Sequence, residues 1–302
     1  MAEMSLEQLI EKITERVAER LKKAGPEVLK EGPMALCQVG KDACVYCGLC
    51  SSKSAKAVEN IVGEGAVRIG AGPGIGAAGV DSRLASMIDH TLLKPDTTRE
   101  DLIRVCEEAK KYNFATVCVN ASNIPLVARQ LKGSTVKPIA VVGFPLGAMT
   151  PIAKAFEARE AVSNGAREID MVINIGAMKS KDYKLVYEDI KAVVDASKPY
   201  PVKVIIEASE LDTEEKVAAC VLSKTGGAAF VKTSTGFAKG GATVEDIALI
   251  RKVVGSDMEI KASGGIRTKE DAEAMVKAGA NRIGASASVA IVTGKKSSGK
   301  GY

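Results

Sequence analysis

The feature that most constrains the fold is a regular alternation of two residue patterns from Ser82 to about residue 290. Short apolar, β-branched runs alternate with amphipathic stretches of helical spacing. The predicted strands cover 87–91, 114–120, 138–144, 168–174, 202–208, 229–234, 259–263 and 282–286. The predicted helices between them include 99–111, 152–164, 183–197, 213–225, 244–254 and 269–278. Eight such units predict an α/β fold, a (β/α)8 TIM barrel, with a doubly wound open sheet as the alternative.

The composition suits one large domain with an appendage and excludes several classes of protein. The chain has 302 residues, of which 46% are hydrophobic. No apolar run is long enough to cross a membrane, and the charged N-terminus is unlike a secretory signal. The net charge of +5 is well mixed and aromatic residues make up only 4%, which disfavours nucleic acid as a partner. We therefore expect a cytoplasmic protein whose seven cysteines are reduced thiols or metal ligands.

An amphipathic helix is predicted at 5–23, where apolar residues recur at helical spacing between charged ones. Ser5 and Gln8 match a capping box, and Gly25 with Pro26 ends the pattern. One interpretation is a helix that packs on its own domain, or on its twin in an oligomer. The other is a docking helix for a partner surface. Such a leader on a flexible linker resembles the encapsulation peptides of enzymes in bacterial microcompartments, which implies a shell or cargo partner.

A cysteine cluster follows the helix and consists of Cys37, Cys44, Cys47 and Cys50. Four thiolates at this spacing can hold a tetrahedral zinc ion or an iron–sulfur cluster. The C-x-x-C-x-x-C run resembles ferredoxin-type cluster binding, although the usual C-P ending is absent because Ser51 follows. Free thiols in a flexible tail are the alternative. The sequence favours a metal and does not choose between zinc and iron.

A Gly- and Ala-rich stretch at 63–79 predicts a flexible linker between the cysteine cluster and the barrel. Its glycines begin a G-x-G-x-x-G pattern but miss the later spacing, which disfavours a dinucleotide site. The sequence therefore divides into an N-terminal extension at 1–80 and a barrel domain at 81–302.

Polar side chains interrupt the apolar strands near their carboxyl ends, where a barrel places its active site. They are Asp89, Cys118, Asn120, Asp170, Asn174, Glu207, Lys232 and Lys261. Lys232 and Lys261 end adjacent strands, and loss of water or a nearby cation lowers the pKa of a lysine and frees its amine. This pair predicts a Schiff-base enzyme, and the spacing leaves open which lysine is the nucleophile. Asp170 is expected to pair with them and to move protons, with a structural ion pair as the alternative.

Small residues after the last strands predict a phosphate site, because the loops after strands seven and eight commonly hold phosphate in this fold. A hydroxyl and a backbone amide after strand six add to it. The candidate phosphate-binding residues are Thr235, Gly236, Gly264, Gly265, Gly284 and Ser286.

Two further strand residues, Asp89 and Cys118, are expected to line the substrate pocket. Cys118 reads as a pocket wall rather than a nucleophile. The single histidine, His90, is not expected to be catalytic because no Ser or Cys partner pattern surrounds it. No cluster with metal-ligand spacing occurs in the barrel, so we expect catalysis without a cofactor.

The strand-end motifs together resemble the deoxyribose-phosphate aldolase family over essentially 82–290. The matching motifs are IDHTLLKPDTT (88–98), VCVN (117–120), VVGFPLG (141–147), EIDMVINIG (168–176), KVIIEASEL (203–211), FVKTSTGF (230–237), IKASGGIRT (260–268) and RIGAS (282–286). The resemblance is specific because the motifs occur in order along the chain.

This resemblance implies a class I aldolase, a lyase that acts without metal in deoxyribose phosphate catabolism. It would cleave 2-deoxy-D-ribose 5-phosphate reversibly into D-glyceraldehyde 3-phosphate and acetaldehyde. The motif match implies that Lys232 forms the Schiff base, that Lys261 perturbs it and that Asp170 relays protons. It also implies that the glycine and serine loops bind phosphate. The first 80 residues lie outside the family pattern.

Two other functions remain open from the residues. One is a different phosphate-binding barrel enzyme, such as an isomerase, in which Lys232 is only an electrostatic clamp. The other is a non-catalytic assembly or redox module dominated by the cysteine-rich segment. The expected partners are a phosphorylated sugar and further copies of the chain, as a dimer or a higher homo-oligomer, with neither nucleic acid nor membrane.

Overall fold

The computed structural model describes residues 5–23 and 80–294 of the chain. In this part eight strands close into a barrel in chain order. The strands are β1 Ile88–Leu92, β2 Thr116–Asn120, β3 Lys137–Val142, β4 Glu168–Val172, β5 Val202–Ile205, β6 Phe230–Lys232, β7 Glu259–Ser263 and β8 Arg282–Ala285. Every neighbouring pair is parallel, and β1 pairs with β8, so the sheet has no free edge.

Helices connect the strands and form an outer layer around the barrel. They are α1 Leu6–Lys23, α2 Ser82–Ala85, α3 Arg99–Tyr112, α4 Ile124–Gln130, α5 Pro151–Ser163, α6 Ile175–Lys179, α7 Tyr183–Ser197, α8 Thr213–Thr225, α9 Val244–Val254, α10 Lys269–Ala278 and α11 Ser288–Thr293. The predicted (β/α)8 barrel is confirmed, and the bounds of α7, α8, α9 and α10 are those predicted.

Several strands end earlier than the sequence predicts. β4, β5 and β6 stop at Val172, Ile205 and Lys232, two or three residues before the predicted ends. The apolar run continues past each strand, because buried loop residues such as Ile173 and Ile206 also pack in the core. Apolar character therefore marks burial, whereas the strand ends where the ladder of hydrogen bonds changes.

The helices after the strands begin with strong caps, which fix the loops at the carboxyl ends of the strands. Thr98, Asp212 and Thr268 each form a capping box with the acidic residue three positions later. Each cap satisfies backbone N–H groups that the first helical turn leaves free. The loops that carry the candidate site are thereby joined to rigid helix starts.

The barrel interior has two unlike halves. Leu93, Cys118, Ile139 and Val141 form a small apolar cluster with Phe144, separate from the main core between strands and helices. These residues lie on or just after β1, β2 and β3. Strands β4 to β8, together with Asp89 on β1, contribute charged residues to the interior, as described below. The fold thus places an apolar wall opposite an ionic one.

The helix α1 packs on the barrel through one apolar face. Ile13, Val17 and Leu21 are buried there, within the same compact unit as the barrel. The capping box of Ser5 with Gln8 is confirmed, since each backbone N–H donates to the other side chain, at 3.0 and 3.3 Å. The described contacts are those of a helix packed on its own domain.

Two arginines of α1 tie it to the starts of α7 and α8. The Arg16 guanidinium lies 3.1 Å from the carboxylate of Glu214 in the first turn of α8. The Arg20 guanidinium donates to the backbone carbonyl of Lys181 at 2.7 Å and lies over the ring of Tyr183, the first residue of α7. Surface contacts of this kind contribute little each, so burial of the apolar face holds the helix in place.

The cysteine cluster at 37–50 and the predicted linker at 63–79 lie outside the described residues. Among the helices of the described part, none is long and apolar enough to span a bilayer.

Candidate active site

Two lysines and one carboxylate meet inside the barrel. Lys232 on β6 is paired in register with Lys261 on β7. Oδ2 of Asp170, on β4, accepts from Lys232 Nζ at 2.9 Å and from Lys261 Nζ at 2.7 Å. All three residues are buried. The structure therefore brings together the three residues that the sequence singles out for Schiff-base chemistry.

A third lysine contacts the other side of the same carboxylate. Lys203 on β5 donates from Nζ to Oδ1 of Asp170 at 3.0 Å and to Glu168 at 2.5 Å. Its side chain is fully buried. Three ammonium groups consequently surround one aspartate, and Glu168 shares the charge of only one of them.

Asp89 compensates the positive charges of Lys261 and Arg282. Its carboxylate lies 2.5 Å from Lys261 Nζ and 2.7 Å from the guanidinium of Arg282, and it accepts from the Thr116 hydroxyl at 2.7 Å. Arg282 also reaches Glu168 at 3.4 Å. The sequence predicts Asp89 as a pocket residue, whereas the structure has it fully buried beneath Lys261, as part of the ionic network.

Sequence reasoning missed Lys203, Glu168 and Arg282. Each lies in the first or second position of its strand, where a charge usually reads as a solvent-exposed strand end. The available signal was strand alternation, since Glu168 stands two residues before Asp170 and shares its face. A charge on the inward face at a strand start is therefore buried in a closed barrel.

Burial and the neighbouring charges shift the pKa values of Lys232 and Lys261 in opposite directions. Burial lowers the pKa of Lys232, and the Lys261 ammonium adds to this lowering, while Asp170 opposes it. Burial also acts to lower the pKa of Lys261, but Asp170 and Asp89 outweigh it and raise that pKa above its usual value. Burial would raise the pKa of Asp170, yet the three surrounding lysines hold it well below its usual range. Lys232 is consequently the lysine that loses its proton more readily.

The loop after β6 is fixed by a buried glutamate. Ile206 N–H donates to the Lys232 carbonyl and Ala208 N–H to the Thr233 carbonyl, so Glu207 between them is an extra residue in the ladder. Its φ of 49° lies in the left-handed region. This bulge directs the buried Glu207 side chain towards the loop that follows Lys232.

Thr235 is held by that glutamate. The Glu207 carboxylate accepts from the Thr235 N–H at 3.1 Å and also from its hydroxyl. The Thr235 oxygen in turn accepts from the Phe237 N–H at 3.0 Å. The hydroxyl predicted to bind phosphate thus ties the loop together, while the half-buried Gly236 stays at the rim.

Small residues form the rim at β7 and β8, as predicted for phosphate. Gly264 and Gly265 have φ values of 86° and 78°, which side chains rarely adopt. The exposed Ser286 follows the end of β8. Gly284 has a different reason to be small, because a Cβ there would lie 2.8 Å from Cε of Lys261. It makes room for the lysine.

Cys118 lies in the apolar half of the interior. Burial raises the pKa of its thiol to about 11, so it is a neutral wall residue. His90 points outside the barrel, where its ring contacts the Ser288 hydroxyl at 2.9 Å and the Glu108 carboxylate at 2.7 Å. In residues 5–23 and 80–294 no group of three or more His, Cys, Asp or Glu is placed to hold a metal ion.

A closed parallel barrel whose interior holds a buried lysine with lowered pKa beside a carboxylate has the features of an imine-forming enzyme. A model of the DeoC/LacD family of aldolases matches residues 83–299. The chain therefore belongs to the DeoC/LacD aldolase family. It is 60% identical over 220 residues to a deoxyribose-phosphate aldolase of Clostridium novyi (strain NT), which covers 72% of this chain and 99% of that protein.

Other similar proteins carry the same name. A deoxyribose-phosphate aldolase of Listeria welshimeri is 60% identical over 214 residues, 70% of this chain and 96% of the relative. The crystal structure of a putative deoxyribose-phosphate aldolase from Coccidioides immitis superposes with a TM-score of 0.69 at 44% identity, covering 70% of this chain and 85% of that one. A tetrameric deoxyribose phosphate aldolase from Aeropyrum pernix gives 0.66 at 34% identity, covering 70% and 90%.

We expect Lys261→Met to shift the acid limb of the kcat/KM profile to higher pH. Without the Lys261 ammonium, Asp170 stabilises the protonated form of Lys232 more strongly, so less free amine is present at neutral pH. Activity at pH 7 should fall on the order of 10²-fold and recover partly in alkaline buffer. The exposed Lys277→Met is the matched control. An acid limb that stays at the pH of the wild-type protein would contradict the coupling between the two lysines.

Proposed function

We propose that this chain catalyses the reversible aldol cleavage of 2-deoxy-D-ribose 5-phosphate to D-glyceraldehyde 3-phosphate and acetaldehyde, through a Schiff base on Lys232. The reaction would serve deoxyribose phosphate catabolism. The observation that carries this proposal is the single oxygen of Asp170 that accepts from both Lys232 and Lys261. The relatives named for this activity support the choice of substrate, at 60% identity over nearly their whole length.

In the first half of the reaction, the neutral Lys232 amine attacks the C1 carbonyl of the open-chain sugar and forms a carbinolamine. Loss of water gives a protonated imine, which withdraws electrons from C2. The bond between C2 and C3 then breaks, because a two-carbon product must separate from a three-carbon one. Its electron pair forms an enamine on the lysine, and the C3 hydroxyl loses its proton as C3 becomes the aldehyde of glyceraldehyde 3-phosphate.

In the second half, the enamine takes a proton at C2 and returns to an imine, which water hydrolyses to acetaldehyde and free Lys232. Asp170 is the group that moves these protons, through a water, since it contacts the reacting nitrogen. Lys261 stays charged, anchored by Asp89 and Asp170, and disfavours a second charge on Lys232. Each step uses side chains of the chain itself, so the proposal requires no cofactor for catalysis.

Phosphate would bind at the rim of small residues. Gly264 and Gly265 leave backbone open to an anion, with Ser286 and Gly236 on the neighbouring loops. Thr235 contributes by fixing the loop through Glu207. Contacts to the phosphate lie away from the reacting carbons, so their binding energy serves to orient C1 against Lys232.

Borohydride reduction in the presence of acetaldehyde tests the proposal. We expect an ethyl adduct on Lys232, identified by peptide mass mapping, and a loss of cleavage activity on the order of 10⁴-fold or more in Lys232→Met. The exposed Lys277→Met should trap normally. An adduct on Lys261 would exchange the two roles. Folded protein without any adduct would contradict the Schiff base and favour an isomerase in which Lys232 is an electrostatic clamp.

We also propose that the protein is a homo-oligomer. Leu146, Met149, Ile152 and Phe156 are large apolar side chains that stay exposed around the start of α5, Ile152 by 83% and Phe156 by 66%. Large apolar side chains exposed this close together along the chain indicate a contact surface. In light scattering we expect a dimer or larger species that Phe156→Asp reduces in mass, while Val244→Asp, at a separate exposed site, does not. A monomeric wild-type protein would refute this.

For the extension we propose a bound metal, zinc or an iron–sulfur cluster, on Cys37, Cys44, Cys47 and Cys50. Their spacing is the support, and the role would be structural or regulatory, since the aldol steps do not need it. Anaerobically purified protein should contain either iron, with a brown colour, or about one zinc per chain. Protein with neither metal would leave the cysteines as thiols.

We further propose that α1 recruits the enzyme to a microcompartment shell within the cytoplasm. The same apolar face is buried on the barrel, so docking on a shell protein would require release of α1. In cells that make such shells, the full chain should form puncta. Val17→Asp should disperse them, whereas Thr14→Asp, on the exposed face, should not. Diffuse wild-type protein would contradict recruitment.

A further inference from the structure

The lysine that forms the imine lies in a contact network of seven ionisable groups. The groups joined by contacts of 4.0 Å or less are Asp89, Glu168, Asp170, Lys203, Lys232, Lys261 and Arg282. They come from β1, β4, β5, β6, β7 and β8. On the other strands, β2 contributes the neutral thiol of Cys118 and the Thr116 hydroxyl, and the buried inward residues of β3, Ile139 and Val141, are apolar.

The network holds more cations than carboxylates. Its three carboxylates match the charges of Lys203, Lys261 and Arg282, so a proton on Lys232 leaves one positive charge uncompensated. An uncompensated charge in a buried site is costly, which favours the neutral amine. Two half-buried strand-start residues, Lys137 and Glu259, lie outside this contact network, and the charge of Glu259 raises the pKa of Arg282. The buried Glu207 lies outside this contact network, since its carboxylate accepts from Thr235 and forms no ion pair in the described part.

Lys203 has a particular place in this balance. Asp170 presents Oδ1 to Lys203 and Oδ2 to Lys232, at 3.0 and 2.9 Å. The Lys203 ammonium therefore uses part of the negative charge that would otherwise stabilise a proton on Lys232. Glu168 has the opposite effect, because it pairs with Lys203 at 2.5 Å and weakens the hold of Lys203 on Asp170.

We infer that Lys203 and Glu168 together set how strongly Asp170 favours the protonated form of Lys232, and thereby the acid limit of imine formation. The inference rests on the proposed Schiff-base function. Both residues act through Asp170 and are positioning residues for the reaction. Their register is consistent with this, since Ile205 pairs with Lys232 and Lys203 lies one layer deeper in the barrel. Lys203 and Glu168 lie at the starts of their strands, and in the closed barrel they form an ion pair.

Three variants test the inference through the pH dependence of both kcat/KM and imine trapping. Lys203→Met should move the acid limb of both profiles to higher pH by roughly one unit or more, because a neighbouring cation is lost. Glu168→Gln should move both limbs to lower pH, because a carboxylate is lost. The double variant should return them close to the wild-type position, since it removes one charge of each sign. These opposite signs cannot arise from a general loss of packing.

The outcomes separate the inference from the function on which it rests. If wild-type protein traps acetaldehyde on Lys232 and the variants lose rate equally at every pH, the two residues are structural and the inference is wrong. If wild-type protein traps nothing, the Schiff-base function fails first. Thermal unfolding reports whether each variant is folded. Should Lys203→Met not fold, the acid shift expected for Glu168→Gln decides the question alone, because a limb that stays in place would overturn the inference.

Discussion

The structure depends on one carboxylate that three ammonium groups share. Asp170 holds Lys203 on one oxygen and both Lys232 and Lys261 on the other, all within 3.0 Å. These contacts exist only when β4, β5, β6 and β7 are paired in register, because the residues come from four strands. Pairing of these four strands and assembly of the site are therefore one event, and loss of one partner would leave a buried charge without compensation.

The sequence predicted the fold and the centre of the site for a physical reason. Alternation of apolar strands with amphipathic helices reports which face of each element is buried, and burial is what defines the barrel. Lys232, Lys261 and Asp170 were visible because each interrupts an apolar run near its end. Lys203 and Arg282 were not, because periodicity reports the face of a strand and does not report depth along the barrel axis.

Several residues that the sequence predicts to contact the substrate or its phosphate contact other protein residues in the structure. Asp89, expected in the substrate pocket, holds Lys261 and Arg282, and Gly284, expected at a phosphate, makes room for Lys261. Thr235, expected at a phosphate, donates a hydrogen bond from its hydroxyl to Glu207. These relations join residues more than 20 positions apart, so local patterns and spacing carried no signal for them. Only the closed barrel shows which side chains face each other.

The two unlike halves of the barrel interior favour the same charge state by different means. Beside Asp170 and the lysines, the medium is ionic but holds a surplus of positive charge, so it disfavours a further cation on Lys232. Across the interior, Cys118, Ile139 and Val141 form a hydrocarbon-like wall, which favours uncharged groups. In the proposed reaction, breaking the carbon–carbon bond turns the iminium cation into the neutral enamine. Both walls therefore favour the uncharged side of this step, and the protein supplies them without having to rearrange.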